Sequence, residues 1–188
     1  MIIGLVGNKR VGKDTCADYL CHTHNFKKYS FATYLKQSLK ILFDWTDESF
    51  NDDNKEKVDE YWSNNNSIIS PRFMCQELGT FLRNIDINFH IKRLDKDIQK
   101  HLLNNTLYER KNIIFSDIRY QNELDYVKSI GGIIIKINRD TLLNEYSNHE
   151  SETSINVLTN INHIINNNFT QEELYKNITS ILHYYKNN

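Results

Sequence analysis

The sequence is short of several things, and each shortage narrows what the chain can be. Among its 188 residues there is one proline, and no apolar run approaches the length of a membrane-spanning helix. The formal net charge is only −1, so there is no global basic field, and no nucleic-acid polymer is expected as a partner. Three cysteines, Cys16, Cys21 and Cys75, stand at no metal-binding spacing and leave an odd thiol. That pattern fits a reducing, cytoplasmic compartment, with each thiol read as a small core residue. There is no internal repeat, and Asn64-Asn65-Asn66 and Asn166-Asn167-Asn168 are too short to be low-complexity segments. Met1 leads straight into an apolar strand, so no cleaved signal peptide is expected. The length suits one α/β domain with a sizeable core, but not comfortably two. Abundant Asn, Ile, Lys and Tyr point to an AT-biased genome.

What is present begins at the first residue. Met1-Ile2-Ile3-Gly4-Leu5-Val6 is an apolar strand that runs into Gly7-Asn8-Lys9-Arg10-Val11-Gly12-Lys13-Asp14-Thr15, followed by a helical pattern. Strand, glycine, variable residues, glycine-lysine and helix are the parts of a phosphate-binding loop. The glycines let successive N–H groups turn inward, and the helix dipole adds partial positive charge at the same place. Lys13 would reach the outer phosphates. The plainer reading, a glycine-rich turn with Lys13 as a surface lysine, is disfavoured by the flanking strand and helix. Ser or Thr often follows the lysine directly and ligates Mg²⁺; here Asp14 occupies that place and Thr15 follows. Asp14 is therefore either a carboxylate for a hydrated magnesium or a first-turn charge complementing the dipole. Thr15 suits an inner phosphate oxygen.

Strand and helix patterns alternate, which predicts a parallel sheet covered by helices on both faces. Strands are expected at Ile2–Val6, Phe26–Phe31, Asn112–Phe115, Gly132–Ile137 and His163–Asn166. Helices are expected at Gly12–His22, Thr33–Leu42, from Pro71 through about Arg83, and at Phe89–Leu103, Arg119–Ile130 and Gln171–Tyr184. Asp44–Asn66, acidic, polar and aromatic without periodicity, reads as an excursion outside the sheet.

Asn112-Ile113-Ile114-Phe115-Ser116-Asp117 is the second anchor. A carboxylate at the carboxyl end of an apolar strand lies where open α/β sheets bind ligands, and there Asp117 would hold a magnesium water. The alternative is an aspartate capping the next helix. Arg119 offers a planar cation to phosphate oxygens, unless Glu123 simply pairs with it at i,i+4. Arg72, Gln76, Thr80 and Arg83 share one helical face. Such a stripe is commonly solvated surface, but two arginines flanking an amide and a hydroxyl also suit a monophosphate and the edge of its base.

Taken in order, these segments resemble the deoxynucleoside monophosphate kinases of phages and related viruses, small P-loop enzymes akin to adenylate and dephospho-CoA kinases. The resemblance covers most of the chain. It runs through Gly12-Lys13-Asp14-Thr15, Phe31-Ala32, Leu35-Lys36, Lys55-Glu56, Ser70-Pro71-Arg72, Gln76-Glu77-Leu78-Gly79-Thr80 and Arg83. It continues with Asp117-Ile118-Arg119, Asn122-Glu123, Gly131-Gly132, Arg139, His149, Ser151-Glu152 and Ile165-Asn166.

The resemblance implies a single three-layer P-loop kinase domain with a central parallel sheet of about five strands. A helical acceptor-binding insertion would span about 44–104, and a lid about 139–152. It implies transfer of a phosphoryl group from ATP, with Mg²⁺, to a deoxynucleoside monophosphate. Gly7, Asn8, Val11, Gly12, Lys13, Asp14 and Thr15 would bind donor phosphates, and the turn at Asn166 would lie near adenine. Lys36, Arg72, Gln76, Thr80 and Arg83 would line the acceptor site, and Asp14 and Asp117 would serve the metal. Lys13, Arg119, Arg139 and Glu152 would act on the transferring group. Thr153-Ser154 stand where some relatives carry an aromatic after the His-x-Ser-Glu segment. A homodimer and a cytoplasmic location, the host's if the gene is viral, complete the expectation.

Other readings are another small-molecule P-loop kinase, of phosphomevalonate or dephospho-CoA type, and a P-loop switch. The switch reading lacks a guanine-specifying Asn-Lys-x-Asp, because Asn54-Lys55-Glu56-Lys57 ends in lysine, and Asp117-Ile118-Arg119-Tyr120 lacks a switch glycine. A nucleic-acid binder that merely contains the loop is opposed by the near-neutral charge.

Overall fold

The structure, a computed structural model, describes residues 1–103, 112–140 and 153–187. Its centre is a five-stranded parallel sheet of β1 (Ile2–Val6), β2 (Phe26–Tyr29), β3 (Asn112–Ile118), β4 (Ile133–Asn138) and β5 (His163–Asn166). The strand order is β2-β3-β1-β4-β5, and every neighbouring pair is parallel. The helices are α1 (Lys13–His24), α2 (Thr33–Phe43), α3 (Pro71–Ile85), α4 (Phe89–Leu103), α5 (Gln121–Ser129) and α6 (Gln171–Asn187).

Strands buried on both faces need apolar residues on both, which is why Ile133-Ile134-Ile135 reads as an unbroken run. On one face Ile3, Leu5, Ile114, Ile135, Ile137 and Ile165 pack against Cys16, Ala17 and Leu20 of α1 and Leu174, Ile178 and Leu182 of α6. The other face belongs to α5. A methyl group on Gly4 would come within 3.3 Å of Val127 Cγ1, and Phe115 meets Tyr126 edge-on at 6.2 Å. Burial in the first layer pushes the Cys16 thiol up to about 12, so it remains an inert thiol at neutral pH, as a core residue should.

Many element boundaries shift by one to three residues from the sequence expectation; β2, for example, ends at Tyr29 and α6 runs on to Asn187, and three of the shifts have a visible cause. Strand β3 continues past Phe115 to Ile118 because Ile118 still pairs with Val6. Helix α5 starts at Gln121 rather than Arg119, since the strand runs to Ile118 and Tyr120 is still extended (φ −120°, ψ 152°) as the N-cap. Helix α1 runs on to His24 and stops where Asn25 turns left-handed (φ 53°) and its N–H donates to the Leu20 carbonyl.

The chain forms two compact units, Met1–Ser30 with Lys100–Asn188, and Phe31–Gln99. The first carries the sheet. In the second, Leu35 and Leu39 of α2 and Ile91, Leu94 and Ile98 of α4 are buried. Helix α3 begins as its sequence predicts, with Pro71 in the first turn and the Ser70 hydroxyl accepting from the Phe73 N–H at 3.2 Å. The 44–66 segment adds no strand to the sheet. It makes a 3-10 turn at Glu48–Phe50 and an aromatic stack of Trp45 on Phe43 at 4.4 Å. Among the described residues no helix is long and apolar enough to cross a membrane.

Candidate active site

Strands β1 and β3 lie side by side, yet the helix after β1 covers one face of the sheet and the helix after β3 the other. Such a divergence opens a crevice at the strands' carboxyl ends. The Gly7–Gly12 loop springs from the end of β1 at that crevice. Gly7 has φ 153°, and a Cβ there would lie 2.3 Å from the Ile137 carbonyl oxygen. Gly12 has φ 103°, and a Cβ there would lie 2.6 Å from Asn167 Nδ2. Both glycines are therefore demanded by close approach as well as by conformation.

Among the described residues the backbone N–H groups of Val11, Gly12, Asp14 and Thr15 have no hydrogen-bond acceptor. The first helical bond belongs to Cys16, whose N–H donates to the Gly12 carbonyl at 2.9 Å. Unanswered donors at a helix N-terminus form a site for an anion. The Asn8 side-chain oxygen in the same loop is buried and also without a partner. Gly7→Ala should lower stability by about 2 kcal/mol, roughly 6 °C in Tm, because its methyl meets a backbone carbonyl. An unchanged melting curve would contradict that close approach.

The Lys13 ammonium folds back over the loop and donates to the carbonyls of Gly7 and Asn8, both at 2.6 Å. Beside the loop, the register pairs Phe115 with Gly4 and Ile118 with Val6, which puts Asp117 next to the last residues of β1. Its Oδ2 accepts from the Ser30 hydroxyl at 2.5 Å. The helix-capping alternative for Asp117 is not met, because the N-cap of α5 is Tyr120. Asp14 points elsewhere: it is paired with Lys28 at 2.9 Å, and its side chain is 77% exposed. Burial alone would lower the Lys28 pKa, but its bonds to Asp14 and Asp18 outweigh this and hold it above the usual lysine value. Among the described residues no group of three or more His, Cys, Asp and Glu side chains is placed to hold a metal ion. The set present, one carboxylate beside an anion-binding loop, suits magnesium, which takes few protein ligands and completes its shell with phosphate and water.

Glu123 is buried, and its carboxylate accepts from the backbone N–H groups of Arg119 (2.9 Å) and Tyr120 (3.2 Å). It thereby ties down the start of α5 just after Asp117 and Arg119. The Arg119 carbonyl in turn accepts from the Ser154 hydroxyl at 2.8 Å. Arg139 is exposed one residue past β4, while Glu152 and residues 141–152 lie outside the described residues. Asn166, the last residue of β5, is exposed. Its neighbours carry contacts that no local pattern in the chain announces. Asn167 is buried and donates from Nδ2 to the Val11 carbonyl at 2.9 Å. Asn168 accepts from the Asp140 N–H at 2.9 Å and donates to its carboxylate at 2.6 Å.

In the second unit Arg72, Gln76, Thr80 and Arg83 follow one another along a face of α3, and all are partly buried. This face is not a fully solvated stripe: the Arg72 side chain is only 17% exposed. The Arg72 N–H donates to the Lys55 carbonyl at 2.7 Å, and its guanidinium lies 4.0 Å from Glu56. Arg83 reaches the Ile87 carbonyl at 3.4 Å, and the Lys36 ammonium lies 5.9 Å from the centre of the Phe50 ring.

Comparison with known proteins agrees with this geometry. A family model described as deoxynucleotide monophosphate kinase matches residues 1–53 and 44–178. A curated protein of Acanthamoeba polyphaga mimivirus, whose name proposes a deoxynucleotide monophosphate kinase, is 35% identical over 96% of this chain and 95% of its own. Among solved structures, shikimate kinase from Aquifex aeolicus has a TM-score of 0.51 at 15% identity, covering 99% of this chain and 98% of that one. A Thermus thermophilus protein has a TM-score of 0.50 at 14% identity, covering 98% and 97%. At such identities the likeness is one of fold, and the fold is that of the P-loop kinases.

Proposed function

Because the chain belongs to the deoxynucleotide monophosphate kinase family, and is thus a nucleotide kinase and a phosphotransferase, we propose that it converts a deoxynucleoside monophosphate and ATP to the diphosphate and ADP. The observation that carries this reading is the Gly7–Gly12 loop, whose Val11 and Gly12 N–H groups have no acceptor among the described residues, beside the Asp117 carboxylate. In the reaction an oxygen of the acceptor's phosphate forms a bond to the γ-phosphorus of ATP. The bond from that phosphorus to the β,γ-bridging oxygen breaks, and ADP leaves with the electron pair. The attacking oxygen is already anionic, so no general base is needed, and the protein supplies position and charge neutralisation.

In this assignment Gly7, Asn8, Val11, Gly12, Lys13 and Thr15 hold the donor phosphates. Lys13 exchanges its loop carbonyls for phosphate oxygens, a stronger charge-assisted bond. Asp117, held by Ser30, is the carboxylate that fits Mg²⁺, which when bound neutralises phosphate charge. Asp14, engaged with Lys28, serves as the first-turn charge of α1 instead. Arg119 and Arg139 are the cations for the transferring group, with the segment through Glu152 as its cover against water. Asn166 marks the adenine end. Within one kinase domain, the 44–104 insertion supplies the acceptor site through Lys36, Arg72, Gln76, Thr80 and Arg83. We place the enzyme in the cytoplasm, the host's if the gene is viral, with small nucleotides rather than nucleic acid as its partners.

Arg72→Ala and Arg83→Ala should each raise the KM for the monophosphate about tenfold, the loss of one charge-assisted bond, and leave the KM for ATP unchanged. Steady-state kinetics with each substrate varied in turn measures this. Unaltered acceptor kinetics in both variants would remove α3 from the site. Chromatography of the reaction should show the deoxynucleoside diphosphate and ADP in equal amounts. ADP without a diphosphate partner would contradict the assignment.

A further inference from the structure

The turn after β5, which the resemblance puts near adenine, also brings Asn167 against the phosphate loop. This residue is only 9% exposed. Its own N–H donates to the Asn138 carbonyl at the end of β4 (2.8 Å), which fixes its backbone. Its side-chain amide donates to the Val11 carbonyl at 2.9 Å and lies so close to Gly12 that a Cβ there would meet Nδ2 at 2.6 Å. That bond has a geometric consequence. The Val11–Gly12 peptide is planar and trans, so its C=O and N–H point in opposite directions. Drawing the Val11 carbonyl toward Asn167 turns the Gly12 N–H away from it. Among the described residues that N–H has no acceptor.

We propose that Asn167 is a positioning residue for the donor phosphates: by holding the Val11 carbonyl it presets the Gly12 N–H as a phosphate donor before the nucleotide arrives. This rests on the kinase reading above. Donors fixed in advance need no reorganisation when the anion binds, which makes them effective in stabilising its charge. Without the Asn167 amide this peptide is free to rotate, and the nucleotide must reorder it on binding. The residues that Asn167 is seen to meet, Val11, Gly12 and Asn138, belong to the phosphate loop and the end of β4, so its effect should fall on the donor side.

The test is the Asn167→Ala enzyme, assayed with ATP and a deoxynucleoside monophosphate varied separately, together with the shift in Tm that ATP produces. The KM for ATP should rise about tenfold and the ATP-induced shift should shrink, while the KM for the monophosphate stays within about twofold. Asn167→Ser, which keeps a shorter donor, should fall between the two. An unchanged KM for ATP would overturn the proposal. So would a parallel rise in both KM values, the mark of general loosening, or loss of folding in both variants, which would make the contact one of stability only. If the wild-type enzyme itself transfers no phosphoryl group, the kinase reading fails instead, and the ATP-induced shift alone then decides whether Asn167 orders the loop.

Discussion

Lys13→Ala should lower turnover at least a hundredfold while the protein still melts cooperatively near the wild-type temperature. In the structure the Lys13 ammonium donates to the loop carbonyls of Gly7 and Asn8, at the lip of the anion site rather than in the core. Removing it costs the fold little, since no apolar layer depends on it. It removes the mobile cation that would follow charge onto the leaving oxygen, and a hundredfold loss corresponds to about 2.7 kcal/mol of transition-state stabilisation. The effect should appear in kcat more than in the KM for ATP, because the loop N–H groups still bind the phosphates. Rates within a few-fold of wild type would mean that the loop is a structural turn.

Asp117→Asn should have the second largest effect, about a hundredfold on kcat at low magnesium, with partial recovery as magnesium is raised. The substitution keeps the shape of the side chain and an acceptor for the Ser30 hydroxyl, so β3 and its pairing with β1 should be undisturbed. What it removes is the negative charge beside the loop, which a divalent cation would use. Titration of activity against Mg²⁺ separates this from a fold defect. A uniform loss that magnesium does not alter would take Asp117 out of the metal site. Ser30→Ala, which leaves the carboxylate but not its anchor, should lose less, about threefold to tenfold.

The parts of this molecule that could be read from its residues are those governed by periodicity and by strong local signals. Strands β1 and β4 announce themselves because a parallel strand buried on both faces must be apolar throughout. Pro71 after Ser70 marks the start of α3, and the glycine-lysine spacing marks the loop. The parts that escaped depend on which residues meet across the fold. Asp14 has two roles open to it in sequence, and its pairing with Lys28, fourteen residues away, is a contact that no local pattern announces. Glu123 and Asn167 are polar residues whose burial comes from tertiary packing, and nothing local distinguishes Asn167 from Asn166 or Asn168. Strand β3 reads short in sequence because Ser116 and Asp117 are polar, yet after a register shift at these residues its pairing with β1 resumes at Ile118. The site is thus legible where chemistry is concentrated in a motif, and obscure where ordinary residues orient it.

The central claim is that a deoxynucleoside monophosphate is the acceptor, and the most direct measurement is coupled ADP release with ATP, Mg²⁺ and each common deoxynucleoside monophosphate in turn. ADP release that depends on at least one of these monophosphates, and vanishes when it is omitted, is the predicted result. Release that none of them stimulates would contradict the account.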